Sequence, residues 1–201
     1  LFYPAGPFAI LPMLPGKRSA IVWTVEADHA EAVRALPPRA FAAEVEKRMG
    51  GVLGKIESLA PPTGYPLGFH HAASYIDDRF AMVGDAAHGI HPIAGQGLNM
   101  GLRDAAALAE VLGEAKGLGL DLGGREVLER YQRWRGVDNF AVAFATDTLN
   151  RLFGLPGKTM KRIRSLGLGG VERIPPLKRM FMQEARGAGG DLPLLLRGDT
   201  P

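Results

Sequence analysis

The 201-residue chain contains no cysteine. That absence excludes a disulfide framework, a thiolate metal site and a cysteine nucleophile, and it fits a reducing cytoplasm. No apolar run approaches the roughly 18–20 residues needed to span a bilayer, and none resembles a signal peptide. Charge of one sign is also scarce: the formal net charge is +3, too little by itself to point to nucleic acid, which is not an expected partner. The dinucleotide fingerprint G-x-G-x-x-G is missing, because the residue three after Gly97 in Gly95-Gln96-Gly97 is Met100. The chain opens on Leu1-Phe2-Tyr3-Pro4, which reads as the middle of something, and the expectation is a fragment of a longer protein.

What is present is ordinary for a globular protein: 46% apolar and 22% charged residues, with no internal repeat. Apolar runs from Phe8 to Leu14 and from Ala20 to Val25 flank Pro15-Gly16-Lys17-Arg18 and predict a β-hairpin. A short helix is expected over 28–36 with Asp28 as its N-cap, then a second from Pro38 to Met49 stopped by Gly50-Gly51. Strands are expected from Ile56 to Leu59, from Tyr65 to Tyr75 and from Arg79 to Asp85. A helix should cover 97–115 with Leu98, Leu102, Ala106, Ala109 and Leu112 as its apolar stripe. Another should run over 125–153, with a kink or break at Gly136. Shorter helical pieces around 157–166 and 175–186 and a mobile tail complete the reading.

The segment Gly84 to Asp104 carries the most chemistry. A carboxylate such as Asp85, at the carboxyl end of a strand, is placed to accept hydrogen bonds from the hydroxyls of a sugar-like chain. It can equally cap the next turn. Gly95-Gln96-Gly97 leads into a helix, where glycine lets a ligand approach the backbone and the first turn aims N–H groups and positive dipole at it. A phosphate suits that position, as does a ring carbonyl that gathers negative charge. His88 and His91 are three residues apart, but a third ligand in a suitable place is missing, so metal is not expected. His70 and His71, neighbours on an expected strand, point to opposite faces.

The combination is more specific than its parts. The fourteen residues His91-Pro92-Ile93-Ala94-Gly95-Gln96-Gly97-Leu98-Asn99-Met100-Gly101-Leu102-Arg103-Asp104 resemble, position for position, the signature of the ubiquinone-biosynthesis hydroxylases. Gly84-Asp85-Ala86-Ala87-His88 resembles the second flavin motif of the wider class of FAD-dependent aromatic hydroxylases. Pro4 to Pro12 looks like the family's substrate-domain strand, and Asp147 to Phe153 like its C-terminal helix.

The resemblance implies an α/β fold in which this chain is the C-terminal part. Residues 1–75 would be the remainder of a substrate-binding sheet, 76–120 the end of the FAD domain and 121–201 a helical region. It implies FAD as cofactor, NAD(P)H as electron donor, and a polyprenylphenol hydroxylated through a flavin hydroperoxide. Gly84 and Asp85 would hold the ribityl chain. Pro92 and His91 would lie near the reacting face, and Gly95, Gln96, Gly97, Leu98 and Asn99 would line the isoalloxazine ring. Asp104 would anchor the loop, and Arg103 would form a helix-surface or packing ion pair. The motif for the ADP half of FAD is absent, so this chain alone is expected to bind FAD weakly and to be inactive.

From Arg151 to Pro201 ten basic residues stand against four acidic ones, interleaved with apolar positions. This suits the surface of an anionic membrane, a neighbouring subunit of a homo-oligomer or of a complex with other ubiquinone-biosynthesis proteins, or a solvated face. The expected location is the cytoplasm, with that segment offering a peripheral contact to the inner membrane. Two other functions compete: a related flavoprotein acting on another substrate, and a non-catalytic oligomerisation or scaffold module derived from the fold.

Overall fold

The computed structural model describes residues 1–91, 95–155, 157, 167, 169–176, 178–179, 182 and 191–200, with the backbone alone for 149, 150, 153 and 154. Helices and strands are mixed, as expected, and the chain divides into two compact units, Leu1–Leu67 and Gly68–Pro201. Every strand pairing among the described residues is antiparallel.

In the first unit β1 (Phe2–Tyr3), β2 (Gly6–Met13) and β3 (Arg18–Trp23) form a sheet in that order. The expected hairpin is there, with Phe8 opposite Trp23 and Met13 opposite Arg18. Helices α1 (Ala27–Arg34) and α2 (Pro38–Met49) follow. Phe8, Val45 and Met49 form the core, against which Trp23 and Phe41 pack. The Arg48 guanidinium lies 4.0 Å from the Trp23 ring centroid, a cation–π contact. Helix α2 ends as expected, on Gly50 in the left-handed region with φ +64°.

Three expectations for this stretch need correction. Glu26, not Asp28, is the N-cap of α1, without a side-chain cap; Asp28 sits in the first turn, where its charge still complements the dipole. No strand forms over Ile56–Leu59, and of Tyr65–Tyr75 only β4 (His70–His71) is paired. The Ile56 N–H goes to the Glu46 side chain instead of a ladder, and Pro66 lacks the N–H that a ladder requires at the start of the second stretch.

In the second unit β4 pairs with β7 (His88–Gly89), and β5 (Ile76–Asp77) with β6 (Phe80–Ala81). The strand expected from Arg79 to Asp85 is cut short after Ala81. Gly84 takes φ +58°, and Gly84–Ala86 becomes a 3-10 turn. Asp85 therefore sits in a turn rather than at a strand's end. Helices α3 (Gln96–Gly117) and α4 (Arg125–Gly154) pack on each other, and α4 runs unbroken through Gly136.

The packed face of α3 is only partly the expected stripe. Ala106 is buried and Leu112 packs against the core, but Leu98 and Leu102 are 74% and 53% exposed, while Met100, Arg103, Asp104, Ala107, Val111 and Ala115 are buried. Small side chains at 107 and 115 admit the neighbouring core residues, and the polar pair is drawn inward because its partners lie on α4. Val127 and Tyr131 complete that core, and the Tyr131 hydroxyl donates to the carbonyl of Met82 at 2.7 Å. Burial pushes the Tyr131 phenol far above its ordinary pKa, with the Asp104 charge adding to the effect.

The expected helix over 157–166 lies outside the described residues, apart from Gly157. Residues 169–173 are helical, as are 175, 176, 178, 179 and 182 within the second expected piece. The tail, expected to be mobile, is docked over 191–197, where α5 (Leu194–Arg197) lies against α3. Glu110 accepts the Leu194 N–H at 2.7 Å, Trp134 donates its indole N–H to the Asp191 carbonyl at 3.2 Å, and Pro193 is fully buried.

Candidate functional site

The 3-10 turn Gly84–Ala86 and the first turns of α3 lie against each other. A Cβ added to Gly101 would stand 3.3 Å from the Gly84 Cα, so any larger residue at 101 would push the turn away. Gly84, with positive φ, is likewise required by the backbone. The result is that Asp85 sits beside the helix start, where a Cβ on Gly97 would meet its carboxylate oxygen at 3.9 Å. The side chain of Asp85 is exposed and has no hydrogen-bond partner among the described residues. Its backbone carbonyl accepts the Nε2–H of His70 at 2.7 Å.

Gly95 is the N-cap of α3, in the left-handed region at φ +62°, and no side chain caps the helix. Among the described residues, a Cβ on Gly95 would meet nothing within 4 Å. Gln96 is buried, Leu98 points outward, and Asn99 donates its amide to the Gln96 side-chain oxygen at 3.3 Å. Gly84, Asp85, Gly95, Gly97 and Asn99 are thus brought to one end of α3. Pro92, with Ile93 and Ala94, lies outside the described residues.

His91 is half-buried, and its Nδ1 has no partner among the described residues. Burial lowers its pKa, against the opposing charge of Asp147, which favours the neutral ring. His88 is fully buried within the motif. Its Nε2–H donates to Asp104 at 2.6 Å, while its Nδ1 is unpartnered.

Asp104 is the centre of the site's support. It is fully buried and accepts four hydrogen bonds. One oxygen takes the Gly84 N–H at 3.0 Å and the His88 ring at 2.6 Å; the other takes Arg135 Nε at 2.8 Å and the Asn139 amide at 2.9 Å. Arg135 also binds Asp138 at 2.5 Å and the Asn139 oxygen at 2.7 Å. Arg103, 3.6 Å from Asp138, makes a packing ion pair rather than a helix-surface one. The loop-anchoring role expected of Asp104 matches this geometry.

Sequence reasoning missed Arg135, Asp138 and Asn139. A signal for two of them existed: Val127, Tyr131, Arg135 and Asn139 recur at four-residue steps, so Arg135 and Asn139 lie on the core stripe of α4.

Burial alone would raise the pKa of Asp104, but the hydrogen bonds from His88, Arg135, Asn139 and Gly84 outweigh it, and the net shift is downward. As pH falls, the unfolded chain therefore takes up this proton before the folded one. Stability from Asp104 is fully present above about pH 4, the ordinary aspartate value, and is lost as pH falls through the lower folded value. The urea midpoint of the wild type should drop below pH 4, and Asp104→Asn should flatten that acid limb. An equally steep limb in the variant would show that other groups set it.

Residues 2–137 match the family model described as FAD binding domain. The chain belongs to the FAD-binding-domain family. Within it, the chain is 49% identical over 200 residues to ubiquinone hydroxylase UbiL of Rhodospirillum rubrum, covering 98% of this chain and 46% of that protein. It is 37% identical over 186 residues to 3-demethoxyubiquinol 3-hydroxylase of Escherichia coli, covering 92% and 47%. The chain thus spans about half the length of the curated relatives it matches. Among solved structures, PqsL of Pseudomonas aeruginosa, a probable FAD-dependent monooxygenase, superposes with a TM-score of 0.51 at 26% identity, over 69% of this chain and 38% of that one.

FAD is the family's cofactor, and the residues present fit its flavin end. The helix start is bounded by Gly95 and Gly97, which carry no side chains toward a ring edge, and the Asp85 carboxylate beside it, without a partner among the described residues, can accept from polyol hydroxyls.

Proposed function

We propose that the complete gene product is a FAD-dependent monooxygenase that hydroxylates the ring of a polyprenylated phenol in ubiquinone biosynthesis, with O2 and NAD(P)H as co-substrates. The observation that carries this reading is the single constellation at the start of α3: Asp85, held beside Gly97, next to a helix start whose N-cap is Gly95. The likeness to UbiL supports the substrate class.

In this reading bound FAD supplies electron transfer and oxygen activation. The chain's own residues do the rest. Asp85 accepts hydrogen bonds from the ribityl hydroxyls, and Gly84 keeps the turn tight enough to bring it there. The first-turn N–H groups of α3, with the positive end of its dipole, face the ring carbonyl that becomes negative on reduction. Gly95 and Gly97 keep side chains out of the ring's way. His91, with its pKa lowered, adds no fixed positive charge at neutral pH.

The test is isotope incorporation. The complete gene product, NAD(P)H, a polyprenylphenol and 18O2 should yield a product heavier by one labelled oxygen atom. Oxidation of NAD(P)H with no labelled product would leave the flavin reading standing and remove the monooxygenase one. No helix among the described residues is long and apolar enough to cross a membrane.

A further inference from the structure

The buried polar network has a division of labour beyond simple packing. Asp104 presents its two oxygens in opposite senses. Oδ2 holds the Gly84 N–H, in the turn that carries Asp85, and the ring of His88, at the start of the β7 strand that follows. Oδ1 is held by Arg135 and Asn139, from α4. Arg135 is itself fixed by Asp138 and by the Asn139 oxygen, and all three come from adjacent turns of one helix. The carboxylate is therefore a clamp with one jaw set by α4 and the other gripping the turn.

The turn has other holds as well: Gly84 approaches Gly101 closely, the exposed His70 donates to the Asp85 carbonyl, the buried Ala87 accepts the Ala72 N–H at 2.8 Å, and β7 pairs with β4. The Gly84 N–H itself, next to Asp85, is held by Asp104. A tilt of the Asp104 carboxylate, pivoting on Oδ1, would move the Gly84 N–H and carry Asp85 off its place beside Gly97. Such changes, small in distance, matter for a polar group that must meet ligand hydroxyls at hydrogen-bond range.

We propose that Arg135 and Asn139, on a helix outside the cradle, are positioning residues for the flavin. They orient Asp104 so that it sets the Gly84–Ala86 turn and, with it, the Asp85 carboxylate. The proposal rests on the flavin reading of the Asp85 site given above. It assigns to α4 a direct say in cofactor affinity, without contact to the cofactor.

The experiment is FAD titration of the complete gene product and three variants, each well below its melting temperature so that all are folded. Arg135→Lys keeps the charge but loses the fork shared among Asp104, Asp138 and Asn139. Asn139→Ala removes one donor to Asp104, and serves alone if the first variant does not fold. Glu110→Ala, which releases the docked tail at Leu194, is the control that lowers stability elsewhere in the same unit. The expected result is a tenfold or greater rise in the FAD Kd for Arg135→Lys and Asn139→Ala, with a changed visible absorbance of the bound flavin. Glu110→Ala should lower Tm and leave Kd and spectrum at wild-type values. A Kd for both network variants no different from that of Glu110→Ala overturns the proposal while leaving the flavin site intact. A wild-type protein that binds no FAD overturns both.

Discussion

Asp104→Ala should cost the Gly68–Pro201 unit about 3–5 kcal/mol, the range for removing one partner of a buried ion pair. Four donors then face a cavity. Among them is the Arg135 guanidinium, itself almost fully buried and left with Asp138 as its remaining carboxylate. Against a total stability of roughly 5–15 kcal/mol for an ordinary domain, that is a large share of what holds this unit folded. The comparison that gives the number meaning is Arg79→Ala. Arg79 also makes two bonds to a carboxylate, Asp121, at 3.1 and 2.8 Å. Both side chains are more than half exposed, so solvent competes for the pair and the fold should barely register its loss. Urea unfolding followed by circular dichroism separates the two. Equal midpoints for the two variants would mean that the buried network does not hold the unit together.

Asp85→Ala should have the opposite profile, with stability kept and cofactor affinity lost. The side chain is exposed and has no hydrogen-bond partner among the described residues, so the fold loses little. Each hydrogen bond from a flavin hydroxyl to a carboxylate contributes on the order of 1.5–3 kcal/mol. The FAD Kd of the complete gene product should therefore rise roughly 10- to 100-fold. Fluorescence titration with FAD reads this directly, with Tm of the apo form as the companion measurement. An unchanged Kd would place the ribityl chain elsewhere; a collapsed Tm would mean that Asp85 holds the turn instead of the ligand.

The hairpin Phe8–Trp23, helix α2 and the full length of α3 were legible because each is bounded by strong local signals: Pro15-Gly16, Pro38 with Gly50, and Gly95. The strands expected over Ile56–Leu59 and most of Tyr65–Tyr75 are absent because the Ile56 N–H is taken by the Glu46 side chain and Pro66 has no N–H to give a ladder. The face of α3 was legible at Ala106 and Leu112 but not at its start, for a subtler reason. Leucine periodicity picks out one side of the helix, whereas Asp104 and Arg103 are buried through partners 31–35 residues away on α4, and no local pattern encodes that distance. The cradle was legible as a motif, and its support on Arg135 and Asn139 was not. A charge and an amide on an otherwise apolar four-residue stripe are the trace it left.

Flavin content tests the central claim most directly. Purified complete gene product, supplied with FAD and freed of excess, should be yellow with the two flavin absorbance bands at near one flavin per chain. A protein that stays colourless after FAD is added would contradict the reading of Gly84, Asp85 and the start of α3 as a flavin cradle.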